Sequence, residues 1–256
     1  MPDESAFELS GRRALVTGGS RGIGAATARL LARCGADVAL TYRTRQTDAE
    51  VVAAEIAALG RRSSVHRVEL TDRGAVDDAV GRIESEWGGL DIFVGNAGIW
   101  PSDEASVTEM ADERWSRTIA ENVDGMFYST RAALRAMGAG GRVVLVSSTA
   151  GQRGEAMHAD YAASKGAMIS FVKSVAIEVA RRGITVNSVA PGWVETEMCA
   201  EPFADGGRTR ITSTIPVGRI ASADDIAAPI VFLCTNGARH ITGEILNVNG
   251  GSVLAG

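Results

Sequence analysis

Tyr161 and Lys165 lie four residues apart, so a helix would carry both on one face. A phenol ordinarily ionises at about pH 10, too high for efficient proton transfer near neutrality. An ammonium one turn away would stabilise the phenolate and bring that value down. Of the chain's 26 lysines and arginines only Lys165 and Lys173 are lysines. A lysine at this spacing therefore stands out from an arginine-rich background, although Tyr-x-x-x-Lys is also a common chance pairing. Ser148 closes a strand upstream, where its hydroxyl can hold a substrate oxygen while Tyr161 protonates it. Asn122, in Asn122-Val123-Asp124-Gly125, falls inside a helical stretch that both Asn and Gly disfavour. It is either a tolerated kink or a distortion that frees a carbonyl to hold water feeding protons to Lys165. Together these residues suit proton exchange with a carbonyl or hydroxyl oxygen.

A second group could hold a nucleotide. Thr17-Gly18-Gly19-Ser20-Arg21-Gly22-Ile23-Gly24 follows an apolar run and opens a helical one. Glycines permit the tight turn, and unpaired N–H groups at the helix start attract a pyrophosphate. Enzymes of NAD usually carry Asp or Glu at the end of the second strand for the ribose 2′-hydroxyl. Here that region reads Tyr42-Arg43-Thr44, with no carboxylate. Arg21 and Arg43 can instead pair with a 2′-phosphate, which points to NADP(H). The plainer alternative is that both arginines are solvated surface charge.

These residues need a scaffold, and the pattern supplies strand, turn and helix in alternation. Strands are expected at 13–17, 37–42, 63–68, 91–94, 142–147, 184–190 and 244–248. Helices are expected at 23–34, 49–59, 75–87, 112–137, 160–182 and 223–234, with 138–141 a break and 196–215 irregular or weakly helical. Such alternation implies an α/β Rossmann-type fold: one doubly wound domain over residues 1–256, a parallel sheet of about seven strands, and helices on both faces. Residues 1–9 are expected to be flexible. Ligands then bind beyond the carboxyl ends of the strands.

The whole chain limits the alternatives. It has 256 residues, a net charge of −5 and only 5% aromatics, which suits a large aliphatic core and disfavours nucleic acid as a partner. The first ten residues carry acids and no apolar run, unlike a signal peptide, and no stretch approaches a membrane span. Three scattered cysteines and three scattered histidines give neither a disulfide framework nor metal-ligand spacing, and fit a reducing cytoplasm. Trp100, Met157, His158, Trp193, Met198 and Phe203 are loop residues able to wall a partly apolar substrate pocket, or to pack beneath the loops. Residues 202–207 could form a lid. The helix at 160–182 is apolar over most of its circumference, which suggests a second buried contact and hence a homo-oligomer.

In their order and spacing these pieces resemble the short-chain dehydrogenases/reductases over roughly residues 8–254. The matching segments are Thr17–Gly24, Asn96-Ala97-Gly98, Asn122–Gly125, Ser148, Tyr161–Lys165 and Pro191-Gly192-Trp193-Val194-Glu195-Thr196. The resemblance implies a catalytic set of Asn122, Ser148, Tyr161 and Lys165. It implies cofactor contacts from Gly18, Ser20, Arg21, Gly22, Ile23, Gly24, Tyr42, Arg43, Thr44, Glu69, Leu70, Asn96, Ala97, Gly98, Tyr161, Lys165, Pro191, Gly192, Val194 and Thr196. Asp72 is expected near the adenine. Gly95 stands where the family usually has a further Asn, and Glu69 where it usually has Asp. The nearest subgroup is the bacterial 3-oxoacyl-thioester reductases, and the family's usual tetramer agrees with the apolar helix. Arg181 and Arg182 could be half of an acyl-carrier docking patch, or a solvated helix end. The implied activity is NADPH-dependent reduction of a ketone or acyl thioester. An NAD(P)-linked alcohol, sugar or steroid dehydrogenase working oxidatively, and a non-catalytic binding protein on the same fold, are the alternatives.

Overall fold

The structure, a computed structural model, describes residues 7–254. Seven strands form one parallel sheet in the order β3-β2-β1-β4-β5-β6-β7. They are β1 Arg13–Val16, β2 Asp37–Tyr42, β3 Ser63–Arg67, β4 Leu90–Gly95, β5 Met137–Val146, β6 Thr185–Pro191 and β7 Ile245–Val248. The helices are α1 Gly22–Arg33, α2 Gln46–Ala58, α3 Arg73–Trp87, α4 Asp112–Ile119, α5 Gly125–Ala136, α6 Ala150–Arg153, α7 Ala159–Val179, α8 Gly207–Ser213 and α9 Ala223–Cys234. One core joins the sheet to α1, α2 and α9, and a second joins it to α3, α5 and α7. Both sheet faces are thus covered, as the aliphatic runs of β1, β4 and β5 require. This is the single-domain, doubly wound Rossmann-type fold expected.

Strand order reverses between β1 and β4, which opens a crevice at their carboxyl ends. Arg13 locks that junction at the opposite end, pairing with Asp91 through Nε at 2.7 Å and Nη2 at 3.1 Å. Burial pushes the Asp91 carboxyl up, but its bonds from Arg13 outweigh that and hold it below the usual range.

Four local expectations change. The helix foreseen at 112–137 is interrupted by a π-helical turn at Ala120–Asp124, so α4 and α5 are separate elements. Such an insertion widens one turn and re-aims its side chains. The strand foreseen at 142–147 begins at Met137, and its register against β4 shifts between Leu90 and Ile92. The glycines at 138–141 are a strand irregularity rather than a loop. Leu9 is 2% exposed and its N–H donates to the Cys34 carbonyl at 2.8 Å, so packing begins inside the segment expected to be flexible. Residues 1–6 of that segment lie outside the described residues. Finally, Arg142 is buried on the Gly140 and Gly141 carbonyls, and Arg182 caps the end of α5 through the Leu134 and Met137 carbonyls. Of the suggested docking patch only Arg181 has no such bond among the described residues.

Candidate active site

The crevice is a cleft of about 310 Å³. At its floor, Thr17 Oγ1 accepts from the Asn96 N–H at 3.0 Å, and Asn96 Nδ2 donates to the Thr17 and Gly18 carbonyls. Asn96 thereby ties the turn after β1 to the end of β4. Gly18 and Gly22 have φ of 63° and 52°, which glycine tolerates best. Gly24 does not line the cleft. A Cβ there would fall 2.2 Å from the Gly18 carbonyl oxygen, so Gly24 lets the helix approach the turn. No side chain caps the N-terminus of α1 and no acid sits in its first turn. Its N–H groups and positive dipole end suit a pyrophosphate, and Ser20, Arg21, Gly22 and Ile23 line the cleft there.

One wall is built by the loops after β2 and β3, with Tyr42, Arg43, Thr44, Glu69 and Leu70 on the cleft. Arg43 donates to Glu121 at 2.6 Å and stands 3.8 Å from Glu69. Arg45, which sequence reading passed over, lines the same wall and donates to Glu197 at 2.9 Å, and Arg21 pairs with the same carboxylate. Three arginines, Arg21, Arg43 and Arg45, thus line this cleft, each beside a glutamate. Arg45 was visible in the run Arg43-Thr44-Arg45, but Glu121 and Glu197 come from distant elements with no local signal. Asp72 does not line the cleft. Its carboxylate accepts from the Gly74 and Ala75 N–H groups and caps α3. At Gly95 a Cβ would lie 2.6 Å from Leu145 Cδ2, so a larger residue there would have to displace the end of that side chain.

At the other end α7 presents Tyr161 and Lys165, and Ser148 follows β5; all three line the cleft beside Asn96, Ala97, Gly98, Pro191, Gly192, Val194 and Thr196. The Ser148 hydroxyl lies close enough to the Tyr161 phenol to favour its ionised form. Lys165 Nζ donates to the Val146 carbonyl at 2.9 Å and stands 5.7 Å from the Tyr161 ring centroid. Asn122 is fully buried behind this wall. Its amide bridges to Ile99, accepting at 2.8 Å and donating at 2.9 Å, and donates to Ser164 at 3.0 Å. A Cβ on Gly98 would lie 3.0 Å from Asn122 Oδ1 and 3.4 Å from Lys165 Nζ, so only glycine leaves room between them.

The electrostatics differ from the simple expectation of a lysine acidifying a phenol. Burial raises the Tyr161 phenol, and the Ser148 hydroxyl opposes this only in part. Burial also lowers Lys165 to about 8. A dry wall disfavours both charged forms. Tyr161 therefore holds its proton near neutrality.

Beyond Tyr161 the wall is aromatic. Trp100, Trp193 and Met198 line the cleft, and the two indoles meet edge-on at 6.0 Å. Met157, His158 and Phe203 do not line it. Met157 is exposed with φ 66°, His158 is buried against Trp100, and Phe203 packs with Ile211, Ile215 and Ile220 beneath Trp193. The segment that carries the expected lid thus has a small core of its own, and a Cβ on Gly207 would strike the Pro202 carbonyl. Two features of this end were not foreseen. Asp160 is buried and accepts from Thr118 at 2.8 Å and Arg114 at 3.1 Å, joining α4 to the start of α7. Burial pushes its carboxyl up, but those bonds and the Tyr161 N–H hold it below the usual range. Glu155 lines the cleft half-buried, with the Trp100 indole N–H close enough to favour its carboxylate, while burial raises its carboxyl. Among the described residues no three His, Cys, Asp or Glu side chains form a metal-binding group, and no helix is long and apolar enough to cross a membrane.

A Gly-rich turn feeding a helix, at the switch point of a parallel sheet and beside a Ser-Tyr-Lys set, defines a dinucleotide-using oxidoreductase. A sequence model described as enoyl-(acyl carrier protein) reductase matches residues 18–252. The 3-oxoacyl-(acyl-carrier-protein) reductase of Escherichia coli (strain K12) is 40% identical over 250 residues, covering 97% of this chain and 100% of that protein. Nodulation protein G of Rhizobium sp. (strain N33) is 38% identical over 97% of this chain and 99% of its own. A short-chain dehydrogenase from Burkholderia cenocepacia J2315, solved in complex with NADP, superposes with a TM-score of 0.90 at 40% identity, covering 96% of this chain and 99% of that one. A dehydrogenase/reductase from Sinorhizobium meliloti 1021 reaches a TM-score of 0.92 at 35% identity, covering 98% of each chain. The chain belongs to the short-chain dehydrogenase/reductase family and is an oxidoreductase of that family.

Proposed function

We propose that the protein reduces a ketone to a secondary alcohol with NADPH. The observation that carries this reading is that Ser148, Tyr161 and Lys165 line one cleft with the Gly-rich turn and Arg21, Arg43 and Arg45. Three guanidinium groups and no unpaired carboxylate at the ribose end favour a 2′-phosphate over a 2′-hydroxyl. The N-terminus of α1 holds the pyrophosphate, and Val194 and Thr196 border the nicotinamide. The cofactor supplies the hydride, and the protein handles the oxygen.

Ser148 and Tyr161 converge on one point, which is what a reacting carbonyl oxygen needs. Tyr161 gives its proton to that oxygen as negative charge builds on it. An alkoxide is a much stronger base than a phenolate, so even a phenol raised by burial transfers its proton downhill. A raised value also keeps Tyr161 protonated until the oxygen requires it. Lys165 lies one turn behind and restores the proton. The widened turn at Asn122 leaves a main-chain carbonyl to hold the water that feeds Lys165, and the Asn122 side chain positions Ile99 and Ser164.

The substrate is a 3-oxoacyl thioester or similar carbonyl compound, by analogy with the relatives. The outer face of α5 and α7 is a subunit interface: Ile177 is 80% and Phe127 40% exposed, and Phe171 packs edge-on to Phe127. A homotetramer in a reducing cytoplasm fits these features and the three free cysteines. Tyr161→Phe tests the chemistry. It should cut kcat about a thousandfold while NADPH binding, read by cofactor fluorescence, stays within twofold. Retention of most of the turnover removes Tyr161 as the acid.

A further inference from the structure

Four glutamates line the cleft, and three have guanidinium partners. Glu69 and Glu121 face Arg43, and Glu197 faces Arg21 and Arg45. Glu155 differs. Among the described residues no lysine or arginine stands within ion-pair distance of it, although the exposed Arg153 and the buried His158 act on it from further away. The carboxylate of Asp160 is nearby but is engaged by Arg114 and Thr118. The Trp100 indole N–H is the one nearby donor acting on it, which leaves most of the acceptor capacity of Glu155 free among the described residues.

Its place is the substrate end. Glu155 is close enough to Tyr161 and Cys199 to act on both electrostatically, and the indoles of Trp100 and Trp193 stand on the same wall. A half-buried carboxylate beside indole rings is a poor wall for a plain acyl chain, which would desolvate it without return. It is a good one for a cation, which gains a charge-assisted hydrogen bond and ring attraction together. Two of the basic groups that might greet an anionic carrier, Arg142 and Arg182, are engaged on main-chain carbonyls, whereas Arg153, exposed on the cleft, has no ion pair among the described residues.

We infer that Glu155 sets substrate specificity, and that the preferred substrate is a ketone bearing a protonated amine that docks between Glu155 and the Trp100–Trp193 wall. The inference rests on the carbonyl-reduction reading above, but chooses an amine-bearing ketone among the similar carbonyl compounds over the 3-oxoacyl thioester that the relatives suggest. Burial holds the Glu155 proton longer than usual, so the preference for a cation strengthens as pH rises and the carboxylate ionises.

Three cyclic ketones of nearly equal shape test this with NADPH: 1-methylpiperidin-4-one, protonated at neutral pH, 4-hydroxycyclohexanone and 4-methylcyclohexanone. The wild type should favour the cationic ring over the methyl ring by about tenfold in kcat/KM, chiefly through KM, the worth of one charge-assisted hydrogen bond. In Glu155→Gln that ratio should fall to within about threefold. Equal wild-type rates, a preference for the hydroxylated ring alone, or a ratio unmoved by the substitution would overturn the inference. Binding of the three ketones to the NADPH complex of Tyr161→Phe, read by NADPH fluorescence, separates the two claims. The expected affinity order without wild-type turnover sinks the reductase reading and keeps the cation subsite. Turnover without that order does the reverse.

Discussion

The two ends of the cleft solve opposite electrostatic problems. At the nucleotide end Arg21, Arg43 and Arg45 are exposed, and every guanidinium has a glutamate within reach. At the catalytic end Lys165 is 4% exposed, and among the described residues its ammonium has a carbonyl and a ring face for partners. The first region keeps strong charges in water, where each pair is worth little. The second keeps weakly ionising groups out of water, where neutrality is favoured and small changes in charge are felt strongly. Affinity is tuned at one end and reactivity at the other, so substitutions should separate the two.

After Tyr161 itself, the largest departure is expected at Lys165. Lys165→Met should lower kcat by about a hundredfold or more, because Tyr161 loses its proton supply. The same change should stabilise the fold. Lysine ionises near 10.5 when unfolded and at about 8 in the protein. At pH 7 both states bind the proton, and the buried ammonium costs the native state up to about 3 kcal/mol. Between pH 8 and 10.5 the unfolded chain holds more protons than the native one, so wild-type stability gains on the variant as pH rises. Melting curves at pH 7 and pH 9.5 check this. A variant less stable than wild type at pH 7 would show that Lys165 is not held against its charge.

A smaller effect belongs to the exposed end. Arg43→Asp puts a carboxylate beside Glu69 and Glu121 and takes away a donor to the 2′-phosphate. The NADPH-to-NADH ratio of kcat/KM should fall about thirtyfold, with kcat for the better cofactor nearly unchanged. A fall in kcat with the ratio unaltered would mean that the two ends are not independent.

Much of this division was legible in the sequence. Local signals were read correctly: the Gly-rich turn follows a strand and opens a helix, and Tyr161 and Lys165 are one turn apart by geometry. Strand and helix alternation gave the parallel sheet, because each apolar run and each glycine stop acts within a few residues. The π-turn was half legible, since Asn122 and Gly125 looked wrong for a helix interior, but the bonds from Asn122 to Ile99 join segments distant in the chain. What escaped depends on contacts between distant segments. Glu197 and Glu121 find their arginines only once the fold is made. His158 and Phe203 looked like pocket residues because loop aromatics often are, yet burial beneath Trp100 and Trp193 gives them a packing role. The direction of the Tyr161 shift was misjudged because spacing reports which groups are close and says nothing of how dry the wall is.

The smallest expected effect comes from Glu197, and it tests whether the exposed end is simply solvated. Its carboxylate lies between Arg21 and Arg45, two of the groups a 2′-phosphate would use. An anion entering there must displace it. Because Arg21 and Glu197 are each about half exposed, with side-chain exposures of 47% and 54%, the pair is screened and cheaply broken. Glu197→Gln should therefore tighten NADPH about threefold and NADH hardly at all, since NADH offers no phosphate to compete for the site. Titration by cofactor fluorescence at low and high salt gives the answer. The difference should shrink as salt rises, because screening weakens the competitor and the competition alike. Equal tightening of both cofactors would mean that Glu197 acts by holding the segment after Thr196 across the cleft rather than by occupying the arginines.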